Sequence, residues 1–183
     1  MTQQQMSREL HRRIARVRLM IFDVDGVLTD GRVIYLDNGT EIKEFDARDG
    51  HGIKLLQRAG IEVALISGRA CQAVEHRARG LGIEKVYQGM TVKMEAYLKI
   101  LADTGCTEEE TGYMGDDLID IPVMRRAGFS VAVPDGSPHI FPHAHYITRA
   151  SGGRGAAREV CELVLTVRDL WHSVTSRYFS DTD

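Results

Sequence analysis

The chain has 183 residues, of which 43% are hydrophobic and 27% are charged, and its formal net charge is −3. This composition is typical of one globular domain with a real core, and the weak acidity argues against nucleic acid or a membrane surface as the main partner. The three cysteines are scattered and no apolar stretch approaches a membrane span, so we predict a cytoplasmic protein without a disulfide framework.

Helix-like stretches that end at glycine alternate with short apolar runs, as in LLQRAG-IEVALIS and MRRAG-FSVAV. Glycine closes a helix in the left-handed conformation, and such alternation predicts a parallel sheet. We therefore predict an α/β fold with a doubly wound, Rossmann-like sheet flanked by helices. The predicted helices span 5–16, 50–59, 70–80, 91–103, 120–126, 137–141 and 155–168, and the predicted strands span 17–23, 62–66, 84–87, 111–114, 129–132 and 144–147.

One segment interrupts this alternation. Residues 32–46, RVIYLDNGTEIKEFD, form two strand-like runs around an Asp-Asn-Gly turn, which is a strong hairpin signal. We predict a flap beside the tip of the first strand and outside the main sheet. Residues 1–183 are predicted to form one domain, with a glycine-rich tail and C-terminal helix at 150–170, and the final stretch SRYFSDTD shows no pattern and is a candidate for disorder.

Polar side chains gather where the predicted parallel strands end, and ligands of open α/β sheets bind at this edge. Carboxylates without histidine or cysteine partners form a hard oxygen site suited to Mg²⁺. Lysine, arginine, serine and helix N-termini bind phosphate. The residues at the strand ends and on the adjoining helix starts are Asp23, Asp25, Ser67, Arg69, Lys93, Asp116, Asp117 and Asp120.

The spacing of Asp23 and Asp25 indicates a division of labour. Residues i and i+2 of a strand point to one face, and different environments can keep one carboxylate ionised while the other carries a proton. An aspartate can attack phosphorus to form an aspartyl-phosphate, and a divalent metal offsets the repulsion between that carboxylate and the phosphate. The pattern therefore predicts phosphoryl transfer.

Four features resemble, in chain order, the four motifs of the haloacid dehalogenase superfamily of phosphatases. They are DVDGVLTDG, SGR, a lysine at 93 and GDDLIDIPVM. The resemblance implies that Asp23 is the nucleophile. It implies that Asp25 is the acid for the leaving group and then the base for water. Ser67 and Lys93 would hold the phosphoryl group.

The same resemblance implies a metal site. Mg²⁺ would be bound by Asp23, the backbone carbonyl of Asp25 and Asp116, while Asp117 and Asp120 would orient Lys93 and the waters on the metal. Superfamily members often carry a cap domain after the first or second motif. Here a hairpin, two helices and two strands fill those intervals, so we predict a capless enzyme whose site is covered by a neighbouring subunit.

Two further stretches are similar to the capless phosphatases that act on 3-deoxy-D-manno-octulosonate 8-phosphate in lipopolysaccharide sugar synthesis. They are FDARDGHGIKLLQRAGIEVALISGR and GGRGAAREVCELVL. This resemblance implies a homotetramer assembled through the hairpins, with the glycine-rich tail reaching into an adjacent site. It implies a small sugar-acid phosphate as the partner. The residues expected to contact that substrate are Arg69, Arg77, Lys93, Arg154 and Arg158.

Alternatives remain open. Relatives that act on nine-carbon acid-sugar phosphates differ near the second motif, and the intact SGR favours the eight-carbon substrate. A non-catalytic binding protein with this fold would be expected to have lost at least one of its four central motif residues. Cys71 is interpreted as a packed or inert thiol, and a histidine group that fits no metal-ligand spacing is interpreted as loop and surface: His139, His143 and His145.

Overall fold

A computed structural model describes residues 7–180. The strands are β1 Leu19–Phe22, β2 Ile34–Tyr35, β3 Glu41–Ile42, β4 Glu62–Ile66, β5 Lys85–Tyr87, β6 Thr111–Gly115, β7 Phe129–Ala132 and β8 Tyr146–Ile147. Six of them form one sheet in the order β5-β4-β1-β6-β7-β8, with every pairing parallel. The order reverses direction at β1, so the carboxyl ends of β1, β4 and β6 lie side by side and form the crevice where ligands bind in this class of fold.

Helices cover both faces of the sheet, which confirms the predicted doubly wound α/β fold. The α-helices are α1 Arg8–Ala15, α2 Ala47–Arg58, α3 Gln72–Leu81, α4 Lys93–Thr104, α5 Ile121–Met124, α6 Ala156–Val167 and α7 Trp171–Thr175. Met20 and Phe22 of β1 pack into the core shared with α2, α3 and α6, whereas Leu19 and Ile21 pack into the core shared with α4 and α5. This alternation is the expected result of a strand that is buried on both faces.

Several element boundaries differ from the predicted ones for local reasons. Helix α2 begins at Ala47 because the side chain of Asp46 caps it by accepting the amide hydrogen of Arg48 at 2.7 Å. The predicted helix 120–126 is a 3₁₀ turn at Leu118–Asp120 followed by α5, and the predicted helix 137–141 is a 3₁₀ turn at Pro138–His143. Residues 5 and 6 of the first predicted helix lie outside the described residues.

The hairpin prediction is confirmed. Strands β2 and β3 pair antiparallel as a separate two-stranded sheet, with Ile34 opposite Ile42 and Tyr35 opposite Glu41. Gly39 adopts a φ of +80° in the connecting turn, a conformation that glycine takes without strain. The hairpin follows the β1 loop directly in the sequence, as predicted. It exposes a row of apolar side chains to solvent.

The C-terminal stretch does not behave as expected. Helix α7 is followed by a 3₁₀ turn at Ser176–Tyr178, and the Tyr178 hydroxyl accepts a hydrogen bond from Arg58 at 2.7 Å. The interpretation of this stretch as a candidate for disorder is therefore wrong for residues 176–180, because side-chain contacts hold it against α2. Residues 181–183 of the stretch lie outside the described residues.

No cap domain is inserted within residues 7–180. The chain between β1 and β4 forms only the hairpin and α2, and the chain between β4 and α4 forms only α3 and β5. Each helix in this part of the chain is too short or too polar to traverse a lipid bilayer.

Candidate active site

Asp23 follows β1 directly, and its amide donates to the Met114 carbonyl of β6 at 2.9 Å, which extends the sheet by one residue. Its side chain is nearly buried, with 6% of its surface exposed. The chain then turns sharply, since the amides of Leu28 and Thr29 both donate to the Val24 carbonyl. The turn starts at Gly26, where φ is +84°, and it leaves Asp25 half-buried on the rim of the crevice.

Asp116 follows β6 and lies against this turn. A Cβ atom on Gly26 would stand 2.1 Å from Oδ2 of Asp116, so any other residue at position 26 would displace the carboxylate. The backbone carbonyl of Asp116 accepts from the amide of Ser137 at 2.7 Å, which fixes the loop from behind. The sequence motifs after β1 and β6 are therefore interlocked, and the glycine brings the two acidic loops together.

Lys93 begins α4 and its side chain is fully buried between two carboxylates. Its Nζ lies 2.7 Å from Oδ1 of Asp23 and 2.6 Å from Oδ1 of Asp120. Burial lowers the pKa of Lys93, but the charges of Asp23 and Asp120 outweigh it and the pKa is raised. Lys93 is thus a fixed positive charge beside the predicted nucleophile.

Asp120 has no free oxygen. Its Oδ1 accepts from Lys93 and from the Tyr113 hydroxyl, and its Oδ2 accepts from the amides of Asp116 at 3.0 Å and Asp117 at 3.1 Å. This carboxylate therefore positions Lys93, as the resemblance implies for it. Asp117 differs, because its side chain is exposed and caps the amide of Leu118 at 2.8 Å. Among the described residues the Asp117 side chain makes no hydrogen bond to Lys93, and its predicted role toward waters on the metal stays a prediction.

The carboxylates form a cluster that suits a divalent cation. Oxygen atoms of Asp23, Asp116 and Asp120 lie within 4.8 Å of one another. Burial, followed by the charge of Asp120, raises the pKa of Asp23 well above its ordinary value and raises the pKa of Asp116 to about 6. Such shifts mean that Lys93 alone does not balance the buried negative charge.

The donor set fits Mg²⁺. Because Asp120 is committed to Lys93, Tyr113 and two amides, the available carboxylate oxygens are those of Asp23 and Asp116. The backbone carbonyl of Asp25 accepts no hydrogen bond from residues 7–180 and is a third oxygen donor on the same loop. Mg²⁺ prefers such oxygen ligands and keeps several waters.

Ser67 follows β4 and completes the crevice opposite Asp116. Its side chain is buried, and its hydroxyl lies 3.4 Å from Oδ2 of Asp25 and accepts from the amide of Arg69 at 3.2 Å. The structure therefore brings together six of the predicted site residues at one sheet edge: Asp23, Asp25, Ser67, Lys93, Asp116 and Asp120.

Sequence reasoning missed two charged residues of the hairpin. The side chain of Lys43 is 1% exposed, its Nζ contacts the carboxylate of Asp25, and it lies 2.8 Å from Oε1 of Glu41. Glu41 also accepts from Arg69 at 2.8 Å. The available signal was the spacing of Glu41 and Lys43, since residues i and i+2 of a strand share a face and here that face turns toward the site.

The arginines expected to contact substrate are dispersed. Arg69 reaches the hairpin through Glu41 and the Tyr35 hydroxyl, both at 2.8 Å. Arg77 is half-buried, donates to the Asp46 carbonyl at 2.8 Å and lies over the ring of Phe45. These contacts place Arg69 beside the crevice, whereas Arg77 binds the start of α2.

The two arginines of the tail differ as well. Arg154 is exposed and lies 3.8 Å from Asp30 of the β1 loop. Arg158 lies 2.5 Å from Glu162 and 3.0 Å from Nδ1 of His51, so it joins α6 to α2. Arg77 and Arg158 therefore bind groups of the scaffold here, and substrate contact by any of the four arginines stays a prediction.

The glycine-rich segment packs against its own chain. The amide of Gly153 donates to the Val27 carbonyl at 2.9 Å, and a Cβ on Gly152 would stand 1.8 Å from the Gly26 carbonyl oxygen. Asp49 of α2 accepts from the amide of Arg158 at 2.7 Å. Residues 152–155 thus support the loop after β1 of the same subunit, and the implied reach of the tail into an adjacent site stays a prediction.

The remaining side chains of interest have local roles. Nδ1 of His145 accepts from the amide of Ser130 at 2.9 Å, which ties the loop before β8 to β7. Within residues 7–180 the histidines at 139, 143 and 145 join no metal-binding group. Cys71 is a free, half-buried thiol that precedes α3 and packs against the core.

Comparisons with known proteins agree with this geometry. A family model described as haloacid dehalogenase-like hydrolase matches residues 82–159. The 3-deoxy-D-manno-octulosonate 8-phosphate phosphatase of Yersinia pestis is 49% identical over 163 residues, which cover 89% of this chain and 87% of the relative. The chain belongs to the 3-deoxy-D-manno-octulosonate 8-phosphate phosphatase family.

Solved structures of this phosphatase family have the same fold. The Yersinia pestis enzyme superposes with a TM-score of 0.89 at 48% identity and covers 90% of this chain and 89% of its own. The Moraxella catarrhalis enzyme, in complex with magnesium ion, phosphate ion and KDO, superposes with a TM-score of 0.92 at 37% identity and covers 94% and 99%. The predicted family, fold and enzyme class are thereby confirmed.

Proposed function

We propose that this chain hydrolyses 3-deoxy-D-manno-octulosonate 8-phosphate to the free sugar acid and phosphate, with Mg²⁺ as cofactor, in lipopolysaccharide biosynthesis. The observation that carries the proposal is the buried cluster in which Lys93 bridges Asp23 and Asp120 while Asp116 stands beside them. The choice of substrate is supported by the names of relatives that are about half identical over most of the chain.

Asp23 is the nucleophile of the proposal. Lys93 holds its Oδ1 at 2.7 Å, so the carboxylate is fixed before substrate arrives. Its attack forms a bond from carboxylate oxygen to phosphorus and breaks the bond from phosphorus to the sugar oxygen. The product of this step is an aspartyl-phosphate on Asp23.

Asp25 moves the protons. It gives its proton to the departing sugar oxygen, and it then takes a proton from the water that attacks the aspartyl-phosphate. That second attack releases inorganic phosphate and restores the Asp23 carboxylate. The position of Asp25 on the rim, 3.4 Å from the Ser67 hydroxyl, leaves it accessible to a leaving group that points out of the crevice.

Charge complementarity supports a phosphate in this crevice. Lys93 supplies a buried cation and Ser67 a buried hydroxyl, and both are suited to phosphoryl oxygens. Mg²⁺ held by Asp23, the Asp25 carbonyl and Asp116 would neutralise part of the charge that opposes the approach of a phosphate dianion. Arg69, 44% exposed at the mouth of the crevice, is the available partner for the substrate carboxylate.

We further propose that the enzyme is a cytoplasmic homotetramer assembled through the hairpins. Ile34 and Ile42 form a cross-strand pair, and they are 42% and 38% exposed. Contiguous exposed apolar side chains indicate an interaction surface. The three free cysteines suit a reducing compartment.

The test is a substrate comparison. The purified protein should hydrolyse the eight-carbon substrate with Mg²⁺ at a kcat/KM at least about 100-fold above that for a nine-carbon acid-sugar phosphate, about 2.7 kcal/mol of discrimination. EDTA should abolish turnover, and Mg²⁺ should restore it far better than Ca²⁺, because the larger and looser Ca²⁺ shell misplaces the nucleophile. A preference for the nine-carbon substrate would replace the proposed one.

The matched variants are Asp23→Asn and Asp103→Asn. The first should lose turnover on every phosphate monoester while remaining folded, because the amide is not a nucleophile. The second removes an exposed carboxylate of α4 that, among residues 7–180, accepts a hydrogen bond from the Tyr87 hydroxyl at 3.1 Å, and it should keep full activity. Normal turnover in Asp23→Asn would exclude the covalent mechanism.

A further inference from the structure

Lys43 is a buried lysine outside the family's four motifs. Its side chain is 1% exposed although apolar side chains on both faces of the same hairpin lie in solvent. Burying an ammonium is costly unless it is well paired, and both of its ionic partners are carboxylates, Asp25 and Glu41. The pairing of this shielded ammonium with a carboxylate at the rim of the crevice invites a functional explanation.

The contacts of Lys43 form a continuous ionic chain. Asp25 contacts Lys43, Lys43 lies 2.8 Å from Glu41, and Glu41 lies 2.8 Å from Arg69. The positive and negative groups alternate, so each member is held by its neighbours. The chain joins the loop after β1 to the loop after β4 through the inner face of the hairpin.

Asp25 is thereby held at both oxygens. Lys43 contacts its Oδ1, and the Ser67 hydroxyl lies 3.4 Å from its Oδ2. Asp25 itself lies on a loop and is not anchored by sheet hydrogen bonds in the way that Asp23 is. The direction of its carboxyl group therefore depends on these two side chains, and Lys43 contributes the charged one.

We propose that Lys43 is a positioning residue, which aims the carboxyl group of Asp25 at the leaving-group oxygen, and that Glu41 and Arg69 hold Lys43 in place. The inference rests on the proposed function, in which Asp25 protonates that oxygen. It gives the hairpin a role within its own subunit that is separate from assembly. It requires no specific sugar, because it concerns only the oxygen that leaves phosphorus.

Leaving-group chemistry separates this role from simple structural support. An alkoxide such as a sugar oxygen must be protonated as it departs, whereas 4-nitrophenolate is a stable anion that departs without help. The ratio kcat/KM reports the steps up to departure of the leaving group, so it excludes the later attack of water. A misaimed Asp25 should therefore slow an alkyl phosphate much more than an aryl phosphate.

The experiment compares Lys43→Met with wild type on the sugar phosphate and on 4-nitrophenyl phosphate, both with saturating Mg²⁺. We expect kcat/KM to fall by about 30-fold or more on the sugar phosphate, a part of the roughly 100- to 10,000-fold that general acid–base catalysis typically supplies. On the aryl phosphate we expect a fall of less than about threefold. The matched control is Lys85→Met, which removes a lysine of β5 that pairs with Glu62 of β4 at 2.7 Å. It should leave kcat/KM unchanged on both substrates.

Equal falls on both substrates, or no fall, would overturn the inference. If Lys43→Met does not fold, Glu41→Gln keeps the lysine and weakens its hold, and it should show the same alkyl-selective loss to a smaller degree. An equal loss on both substrates in that variant would also overturn it. A wild-type protein that hydrolyses neither substrate would instead refute the proposed function.

Discussion

Lys93 lies between two buried carboxylates, with Asp23 at 2.7 Å and Asp120 at 2.6 Å. Each of these groups would be unfavourable in a dry site alone, and together they form a network in which the ammonium offsets part of the charge of two carboxylates. Because Asp120 is also held by the Tyr113 hydroxyl and two backbone amides, the network has little freedom to rearrange. The carboxylate of Asp23 is therefore preorganised by Lys93 at the start of α4 and, through Lys93, by Asp120 in the turn after β6.

Replacing Lys93 with methionine tests this network. We expect kcat/KM to fall by about 100-fold or more, because a fixed cation that faces the transferred phosphoryl group is lost. Removing one partner of a buried ion pair should also lower the free energy of unfolding by roughly 3–5 kcal/mol. Steady-state kinetics and urea unfolding measure the two effects.

Lys99→Met is the control for this change, since Lys99 lies on the exposed side of the same helix. It should leave kcat/KM unchanged and alter stability by less than about 0.5 kcal/mol. A Lys93→Met variant that retains wild-type turnover would remove Lys93 from the site.

The sequence predicted that Asp23, Ser67 and Asp116 would meet at one edge of the sheet, and the reason is physical. Asp23, Ser67 and Asp116 each follow a buried apolar strand, and parallel strands bring such positions to one edge whatever the loops do. Lys43 could not be found in this way. It lies in a hairpin outside the main sheet, so only the three-dimensional path of the loop after β1 determines that its side chain meets Asp25.

Among the elements, α6 is attached to the sheet edge by one side chain. Glu159 accepts from the Tyr146 hydroxyl of β8 at 2.6 Å and from the amides of Arg149 and Ala150, both at 3.0 Å. These bonds fix the segment that leads from β8 into the glycine-rich tail. Burial raises the pKa of Glu159, but the hydrogen bonds outweigh it and the pKa lies below its ordinary value.

Glu159→Gln should destabilise the protein by about 1–3 kcal/mol at pH 7, because an amide group would face a backbone amide donor in the buried network. The pKa of this carboxyl is depressed by folding, so its contribution is complete above the unfolded pKa of about 4.3 and disappears as the pH falls through the folded value. The difference between wild type and variant should therefore be constant from pH 7 to 5 and shrink below that.

Urea unfolding across this pH range measures the difference. Glu162→Gln provides the control on the same helix, since its pair with Arg158 is half exposed and worth only about 0.3–0.5 kcal/mol. A Glu159→Gln difference that grows on acidification would contradict a folded-state pKa of Glu159 below its unfolded value.

The element boundaries show where local sequence was insufficient. The predicted helix 120–126 divides because Asp120 is drawn inward to Lys93, while Pro122 lies in the first turn of α5, a position that proline favours. The family resemblance implies a glycine-rich tail that crosses to a neighbour. Within its own subunit the tail packs on the loop after β1, because Gly152 allows a backbone approach that any side chain would block. A reach into a neighbour stays a prediction.

At the scale of the whole molecule, the hairpin has two faces with different tasks. Its inner face carries Tyr35, Glu41 and Lys43 toward the crevice. Its outer face carries the cross-strand pair Ile34 and Ile42 in solvent. In the proposed tetramer the outer faces of neighbouring hairpins associate and bury this apolar pair.

The double variant Ile34→Lys/Ile42→Lys tests this assembly. Wild type should sediment as a tetramer, and the variant should sediment as a smaller species because four added charges per pair of outer faces repel one another. The control is Leu98→Lys, which adds a lysine at a residue of α4 that is 45% exposed. It should leave the sedimentation coefficient unchanged.

The kinetics of the dissociated variant then separate the two faces. The substituted side chains point away from Lys43 and Asp25. The variant should therefore keep the wild-type kcat/KM for 4-nitrophenyl phosphate. The KM for the sugar phosphate should rise if neighbouring hairpins cover the bound sugar. A wild-type monomer with full activity, or a variant that remains tetrameric, would show that the outer face is not the interface.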